Sequence, residues 1–395
     1  MENQNNLKKH FRVLSVQSHV VSGYVGNKSA CFPLQLLGLE VDFINSVQFS
    51  NHTGYKVIKG QILKSEELHD LYEGLKANEL LNYTHVLTGY VGNETFLTKL
   101  SEIIQDLKQI NPDIFVVCDP VMGDNGVMYV PPEVLPIYRD KLIPLSDLIT
   151  PNQYEAELLT GIKIKSRENI TSVMDAFHEK GVKTVILSSV ELENSEKLHL
   201  FGSSILKNSK SLVSMDIPKL PSSFTGTGDL FSALLLAWMA KTDGDLKLSC
   251  ENAVNSLQCV LKRTLDYAER KSKSVATMEL QLIQSKNDIE NPPSCTRSVA
   301  PLKIAHILAM SSMAKGCVFV FLVCFALASY AADQGSDSDQ CLVYRKGYPA
   351  YYTCIIKCFQ FVLGFEDSTA SFCIGLGSIQ NNEMYSSKKL KNETE

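Results

Sequence analysis

Phe224-Thr225-Gly226-Thr227-Gly228-Asp229 opens the apolar run Leu230 to Ala240. Two glycines let the backbone bend tightly, and a helix that starts there points unpaired N–H groups forward. Such a mouth cradles an anion. Asp229 falls in the first turn, where the positive end of a helix favours an ionised carboxylate. A base beside an anion cradle suits phosphoryl transfer, which needs positioning, neutralisation of the moving group, and an acceptor for the alcohol proton. The plainer reading is a capped helix start with an acid in its first turn.

Upstream, strand-like runs alternate with helical ones. Arg12 to Ser18 is a short apolar run that places Ser18 at a strand's carboxyl end, where open α/β sheets bind ligands. Val41 to Val47 is a second strand candidate and leads into the polar loop Gln48 to Tyr55. Ser65 to Ala77 and Phe96 to Ile110 have helical spacing, and His85 to Tyr90 and Ile114 to Cys118 read as strands. This order predicts a mostly parallel sheet with helices on both faces.

Asp119 and Asp124 flank a turn after Cys118 and are spaced to share one cation, although Asp and Pro are also ordinary turn formers. Asn125 to Tyr129 is a small flexible segment suited to covering a site. After Leu148-Ile149, Thr150 is a candidate cap with Pro151 at the first helical position. Asn152 and Glu155 either complete that cap or join the aspartates around a metal and phosphates. Val173 to Lys180 reads as a helix, Thr184 to Ser189 as a strand ending in hydroxyls, and Leu246 to Lys271 as a last long helix.

With 395 residues the chain has room for a large core, and a net charge of −5 without a basic cluster points away from nucleic acid. The amino-terminal part opens on polar residues without a signal peptide, so it is expected in the cytoplasm. Of 11 cysteines, Cys31, Cys118, Cys250 and Cys259 are scattered through the first 292 residues, as in a reducing compartment. The others crowd the remainder.

Val13 to His19, Asn45 to Gly54, Leu87 to Tyr90, Cys118 to Asp124, Ile149 to Asn152 and Gly226 to Phe231 stand in one order that closely resembles the pyridoxal kinases of the ribokinase-like superfamily. The resemblance covers about residues 11–292. It implies a three-layer αβα fold and an ATP-dependent phosphorylation of the 5′-hydroxyl of pyridoxal, pyridoxine and pyridoxamine, by a homodimer. Asp229 matches the base, and Gly226, Thr227 and Gly228 match the turn that receives phosphoryl charge. Ser18 and Thr53 match residues bonding the pyridine ring, while Val47, Phe49, His52 and Tyr90 match its walls. Asp119, Thr150 and Glu155 match a site for a monovalent cation, K+ or Na+. Asp124 and Asn152 match contacts to ATP and Mg2+, or another divalent ion in its place. Tyr129, Ser188 and Ser189 match further ATP contacts, and Ile217, Pro218, Lys219 and Leu220 border the nucleotide. Ser188 stands where threonine is usual and keeps the hydroxyl. Two alternatives are another ribokinase-like kinase, acting on a hydroxymethylpyrimidine or a sugar, and a catalytically silent B6-binding protein.

Beyond a kinase domain at 1–292 and a junction at 293–312, nothing fits that family. Residues 313–331 combine Lys315, an apolar core from Cys317 to Ala328 and small residues before Ala332, which describes a signal peptide. The core is short for a spanning helix, which needs about 20 apolar residues. Residues 332–395 carry Cys341, Cys354, Cys358 and Cys373, as in small disulfide-stapled secreted peptides, and are expected to be poorly ordered. This extension reads as an unrelated peptide fused to the kinase, with a membrane anchor over 317–332 as the alternative.

Overall fold

The computed structural model describes residues 10–192, 195–206, 209–294, 296, 298 and 299. The apolar segment and cysteines of the carboxyl-terminal extension lie outside the described residues. Among those described, the strands are β1 (Arg12–Val20), β2 (Glu40–Phe49), β3 (Gly60–Ile62), β4 (His85–Thr88), β5 (Phe115–Cys118), β6 (Gly123–Asp124), β7 (Val127–Met128), β8 (Leu148–Ile149), β9 (Thr184–Val190), β10 (Lys197–Leu206), β11 (Ser209–Pro218) and β12 (Ser298–Val299). The helices are α1 (Asn27–Leu36), α2 (Ser65–Ala77), α3 (Glu94–Ile110), α4 (Val134–Ile137), α5 (Gln153–Thr160), α6 (Arg167–Glu179), α7 (Thr227–Lys241), α8 (Leu246–Lys271) and α9 (Lys286–Glu290).

A 10-stranded sheet runs in the order β12-β11-β10-β9-β8-β5-β4-β1-β2-β3. Strands β2, β1, β4, β5, β8 and β9 are parallel. The additions at either edge, β3 on one side and β10, β11 and β12 on the other, pair antiparallel. Because successive strand residues point to opposite faces, each central strand feeds two cores. Leu14, Val86, Val116 and Leu187 pack with α2, α3 and α6. Their neighbours Val13, Leu87, Val117 and Ile186 pack under α1, α7 and α8. This is the expected three-layer architecture. The parallel strands therefore all end on one edge, and the loops that leave that edge carry the candidate site.

Three local expectations change. Asn125 and Gly126 have φ of 49° and 80°, so the segment between β6 and β7 is a tight two-residue hairpin turn and not a loose cover. Helix α6 starts at Arg167, earlier than its apolar spacing suggests, because Ser166 caps it by accepting from the Asn169 N–H. Residues past 292 also reach the fold: Thr296 exchanges hydrogen bonds with Asn255 at 2.7 and 3.0 Å, and β12 pairs with β11.

Candidate active site

Gly226 caps α7 in the left-handed region, at φ 81°, and no side chain among the described residues caps the helix start. A side-chain carbon here would strike the Tyr24 carbonyl oxygen. Only glycine satisfies both demands. The start of α1 lies alongside, with Gly26 as its cap at φ 54°. The Gly26 N–H donates to Asp229 Oδ2 at 2.7 Å, and the Ser29 hydroxyl donates to the Gly226 carbonyl at 3.3 Å. Two helix N-termini thus converge around one carboxylate.

Asp229 is only 9% exposed. Burial drives its carboxyl above the ordinary aspartate value, and the bond from Gly26 offsets this only in part. A helix start alone favours ionisation, but desolvation dominates here and makes Asp229 a stronger proton acceptor than an exposed aspartate.

Asp119, just past β5, faces the same mouth: its Oδ2 lies 3.3 Å from where a side-chain carbon on Gly228 would stand. Burial first, then the negative charges of Glu155 and Asp229, hold this carboxyl well above its ordinary value, against the nearby hydroxyls of Thr150 and Ser232. Among the described residues, Oδ2 and the buried Thr150 Oγ1 nevertheless have no hydrogen-bond partner. Asp119 is therefore grouped with Glu155 and Asp229, and the charge of Asp124 reaches this group through Glu155. Asp124 is exposed on the hairpin and accepts from the Asn125 backbone N–H at 2.8 Å and its side-chain amide at 3.2 Å. Among the described residues, no three His, Cys, Asp or Glu side chains converge as a metal ligand set.

Helix α5 is capped by Asn152, not by Thr150. Asn152 Oδ1 accepts from the Glu155 N–H at 2.9 Å, Glu155 Oε2 accepts from the Asn152 N–H at 3.0 Å, and the Asn152 side-chain amide donates to the Gly123 carbonyl at 2.8 Å. Glu155 Oε1 accepts from Met122 N–H at 2.9 Å. Burial pushes the Glu155 carboxyl up to about 7 despite these donors.

The residues predicted for the vitamin ring divide in two. Val47, Phe49 and Tyr90 line a cavity of about 80 Å³ with Ser46 and Ile62. His52 instead lines a cavity of about 510 Å³ with Thr225, Ser222 and Lys273. Ser18 is buried at the carboxyl end of β1, directly against Gly26, and Thr53 is exposed. On the nucleotide side, the Ser188 N–H and hydroxyl both donate to the Pro151 carbonyl, at 3.1 and 3.4 Å. Ser189 is half-buried beside it, Thr227 opens α7, and Tyr129 is exposed. Ile217 is buried and Pro218 exposed at the end of β11, Lys219 pairs with Glu191 at 2.8 Å, and Leu220 is half-buried against the core.

Sequence reasoning missed Gly26 and Glu279. Gly26 was legible only as part of a turn after β1, since its bond to Asp229 spans 203 positions. Glu279 bonds His52, Tyr55 and Tyr24 from the far end of the fold, and no spacing signals that.

The Phosphomethylpyrimidine kinase family model matches residues 73–275. The pyridoxal kinase of Ovis aries is 50% identical over 303 residues, which cover 72% of this chain and 97% of the sheep protein. That of Arabidopsis thaliana is 50% identical over 287 residues, 71% of this chain and 92% of its own. Among solved structures, the pyridoxal kinase from Leishmania donovani in complex with ADP and pyridoxamine superposes with a TM-score of 0.69 at 35% identity, covering 73% of this chain and 98% of that one. The pyridoxal kinase from Trypanosoma brucei gives 0.64 at 34% identity, covering 74% and 100%. The chain belongs to the pyridoxal kinase family.

Proposed function

We propose that this chain transfers the terminal phosphoryl group of ATP to the 5′-hydroxyl of pyridoxal, pyridoxine and pyridoxamine. The observation that carries this reading is Asp229, buried at the mouth of α7 and held by the Gly26 N–H. A primary alcohol is a poor nucleophile at neutral pH, and a desolvated carboxylate takes its proton as the new bond forms. The N–H groups at Gly226, Thr227 and Gly228, which no side chain among the described residues caps, would stabilise the charge that develops on the moving group. The sequence offers no GxxxxGK[ST] loop for that work.

Cations bound with the nucleotide, Mg2+ and a monovalent ion, neutralise phosphate charge. The residues present fit a cation: among the described residues, Asp119 Oδ2 and Thr150 Oγ1 are buried without partners, beside the carboxyls of Glu155 and Asp229. These two atoms would hold a monovalent ion, with Glu155 shaping the field behind them because its own oxygens are occupied. By the family resemblance, Asp124 and Asn152 would contact ATP and its magnesium. The family resemblance supports assembly as a homodimer, and we read the kinase as cytoplasmic. Among the described residues, no helix is long and apolar enough to cross a membrane.

The test is a coupled ATP assay of Asp229→Ala against the parent, with pyridoxal binding measured in parallel. We expect a loss of several orders of magnitude in turnover with little change in binding. Equal rates refute the mechanism. Because the matching family model is named for a phosphomethylpyrimidine kinase, the parent is also assayed with a hydroxymethylpyrimidine acceptor in competition; preference for it over pyridoxal overturns the substrate assignment.

A further inference from the structure

Glu279 follows the short turn Ala276–Met278 and lies outside every residue assigned above to substrate, nucleotide or cation. Its side chain is 14% exposed. One oxygen, Oε1, lies 3.1 Å from His52 Nε2 and accepts from the Tyr55 hydroxyl at 3.0 Å. The other, Oε2, accepts from the Tyr24 N–H at 3.0 Å. The three donors come from two parts of the substrate edge. His52 and Tyr55 belong to the loop after β2, and Tyr24 belongs to the turn that leads into α1.

The histidine is fixed from both sides. Its Nδ1 accepts from the Gly54 N–H at 3.0 Å, so Nε2 carries the proton and donates it to Glu279. The backbone is shaped around the same contact: a side-chain carbon on Gly23, at φ 95°, would collide with the Glu279 carboxylate, and one on Gly54 would press on the His52 ring. The carboxylate is also kept ionised: burial alone would raise it, but the bonds from His52, Tyr24 and Tyr55 hold it below the ordinary glutamate value. Two residues beyond Tyr24, the Gly26 N–H holds Asp229.

We propose that Glu279 is a positioning residue that sets the orientation and tautomer of His52 against the bound vitamin ring. It acts through His52 and touches no reacting atom. The proposal rests on the reading of the chain as a vitamin B6 kinase, so the parent's own turnover of pyridoxal is the control: without it that reading fails, not this one.

Glutamine is isosteric with glutamate, but its amide nitrogen would confront one of these donors and forfeit a charge-assisted bond. Glu279→Gln is expected to raise KM for pyridoxal about tenfold and leave KM for ATP within about twofold, the scale of one such bond. In a His52→Ala background the same substitution should change KM for pyridoxal by less than about twofold, because the group it positions is gone. Tyr55→Phe removes one hydroxyl and leaves the His52 bond, and should stay within about twofold of the parent. An unchanged KM in Glu279→Gln, an equal rise in both backgrounds, a matching rise for ATP, or a Tyr55→Phe effect as large as that of Glu279→Gln each overturns the proposal. Should Glu279→Gln not fold, Glu279→Asp, which keeps the charge and shortens the reach, is measured in the same two backgrounds with the same outcomes deciding.

Discussion

Two helices begin at the same edge of the sheet and treat their first N–H groups in opposite ways. Helix α5 closes its own start: Asn152 and Glu155 bond to each other's backbone in a capping box. Helix α7 starts at Gly226, which has no side chain to offer, and among the described residues no side chain caps its first N–H groups. The first arrangement stabilises a helix; the second stabilises it less and keeps donors for a ligand. What separates a structural helix start from a functional one is therefore whether the polar groups there are already satisfied.

The largest effect that follows from this contrast is at Gly226. Gly226→Ala places a side chain in the left-handed region, at about 1–2 kcal/mol, and drives it into the Tyr24 carbonyl oxygen. Since a misplacement of about 1 Å at a catalytic mouth costs about 100-fold, kcat/KM for pyridoxal should fall by at least that factor. Steady-state kinetics on the folded variant checks this, and a loss below tenfold would mean that the mouth tolerates movement. Asn152→Ala is the counterpart on α5. Losing its cap should cost about 1 kcal/mol, lowering Tm by about 2–4 °C with kcat within about threefold. A turnover loss matching that of Gly226→Ala would erase the distinction between the two helix starts, whereas a rise in KM for ATP is the effect that the proposed nucleotide contact of Asn152 predicts.

The acids behind these helices give the contrast a pH dependence. Glu155 titrates near 7 in the fold, against an ordinary 4.5, so the native state holds its proton where the unfolded chain has lost it. The stability this confers is complete below about 4.5 and disappears as pH rises through 7; at 1.36 kcal/mol per unit it is at most about 3 kcal/mol. Asp119 and Asp229 shift in the same direction. Thermal unfolding in a buffer whose only cation is tetramethylammonium should therefore show Tm falling between pH 5 and 7.5. Glu155→Gln should flatten that slope, and a slope unchanged by the substitution would place the titrating group elsewhere.

Much of this was legible in the chain itself. The helices Ser65–Ala77 and Leu246–Lys271 emerge where apolar spacing puts them, and the loops carrying Asp119, Asp229 and His52 leave the predicted edge of the sheet. Local patterns report what neighbouring residues do to one another. They do not report that Gly26 reaches Asp229, that Glu279 reaches His52, or that burial overrides a helix dipole at Asp229, because those depend on which distant segments fold together. The long antiparallel hairpin of β10 and β11 escaped notice for a related reason. Its alternating small, polar and apolar residues, such as Gly202-Ser203-Ser204, have no clear period until pairing buries them.

A further effect concerns the two orphaned atoms, Asp119 Oδ2 and Thr150 Oγ1. Among the described residues, both are buried without partners, which costs stability unless something satisfies them. If a monovalent cation does, replacing tetramethylammonium with K+ at about ten times its dissociation constant should add about 1.4 kcal/mol, or about 2–4 °C in Tm. Thr150→Val keeps the shape and removes the hydroxyl. Without K+ the variant should melt no lower than the parent, since an unsatisfied polar group has been replaced by an apolar one. With K+ it should gain less than the parent, because one ligand is missing. The two curves should therefore cross as K+ is added. Identical melting of the parent in both salts would leave the orphaned atoms as a plain cost of the fold, and would move charge neutralisation onto α7 and the nucleotide's own metal.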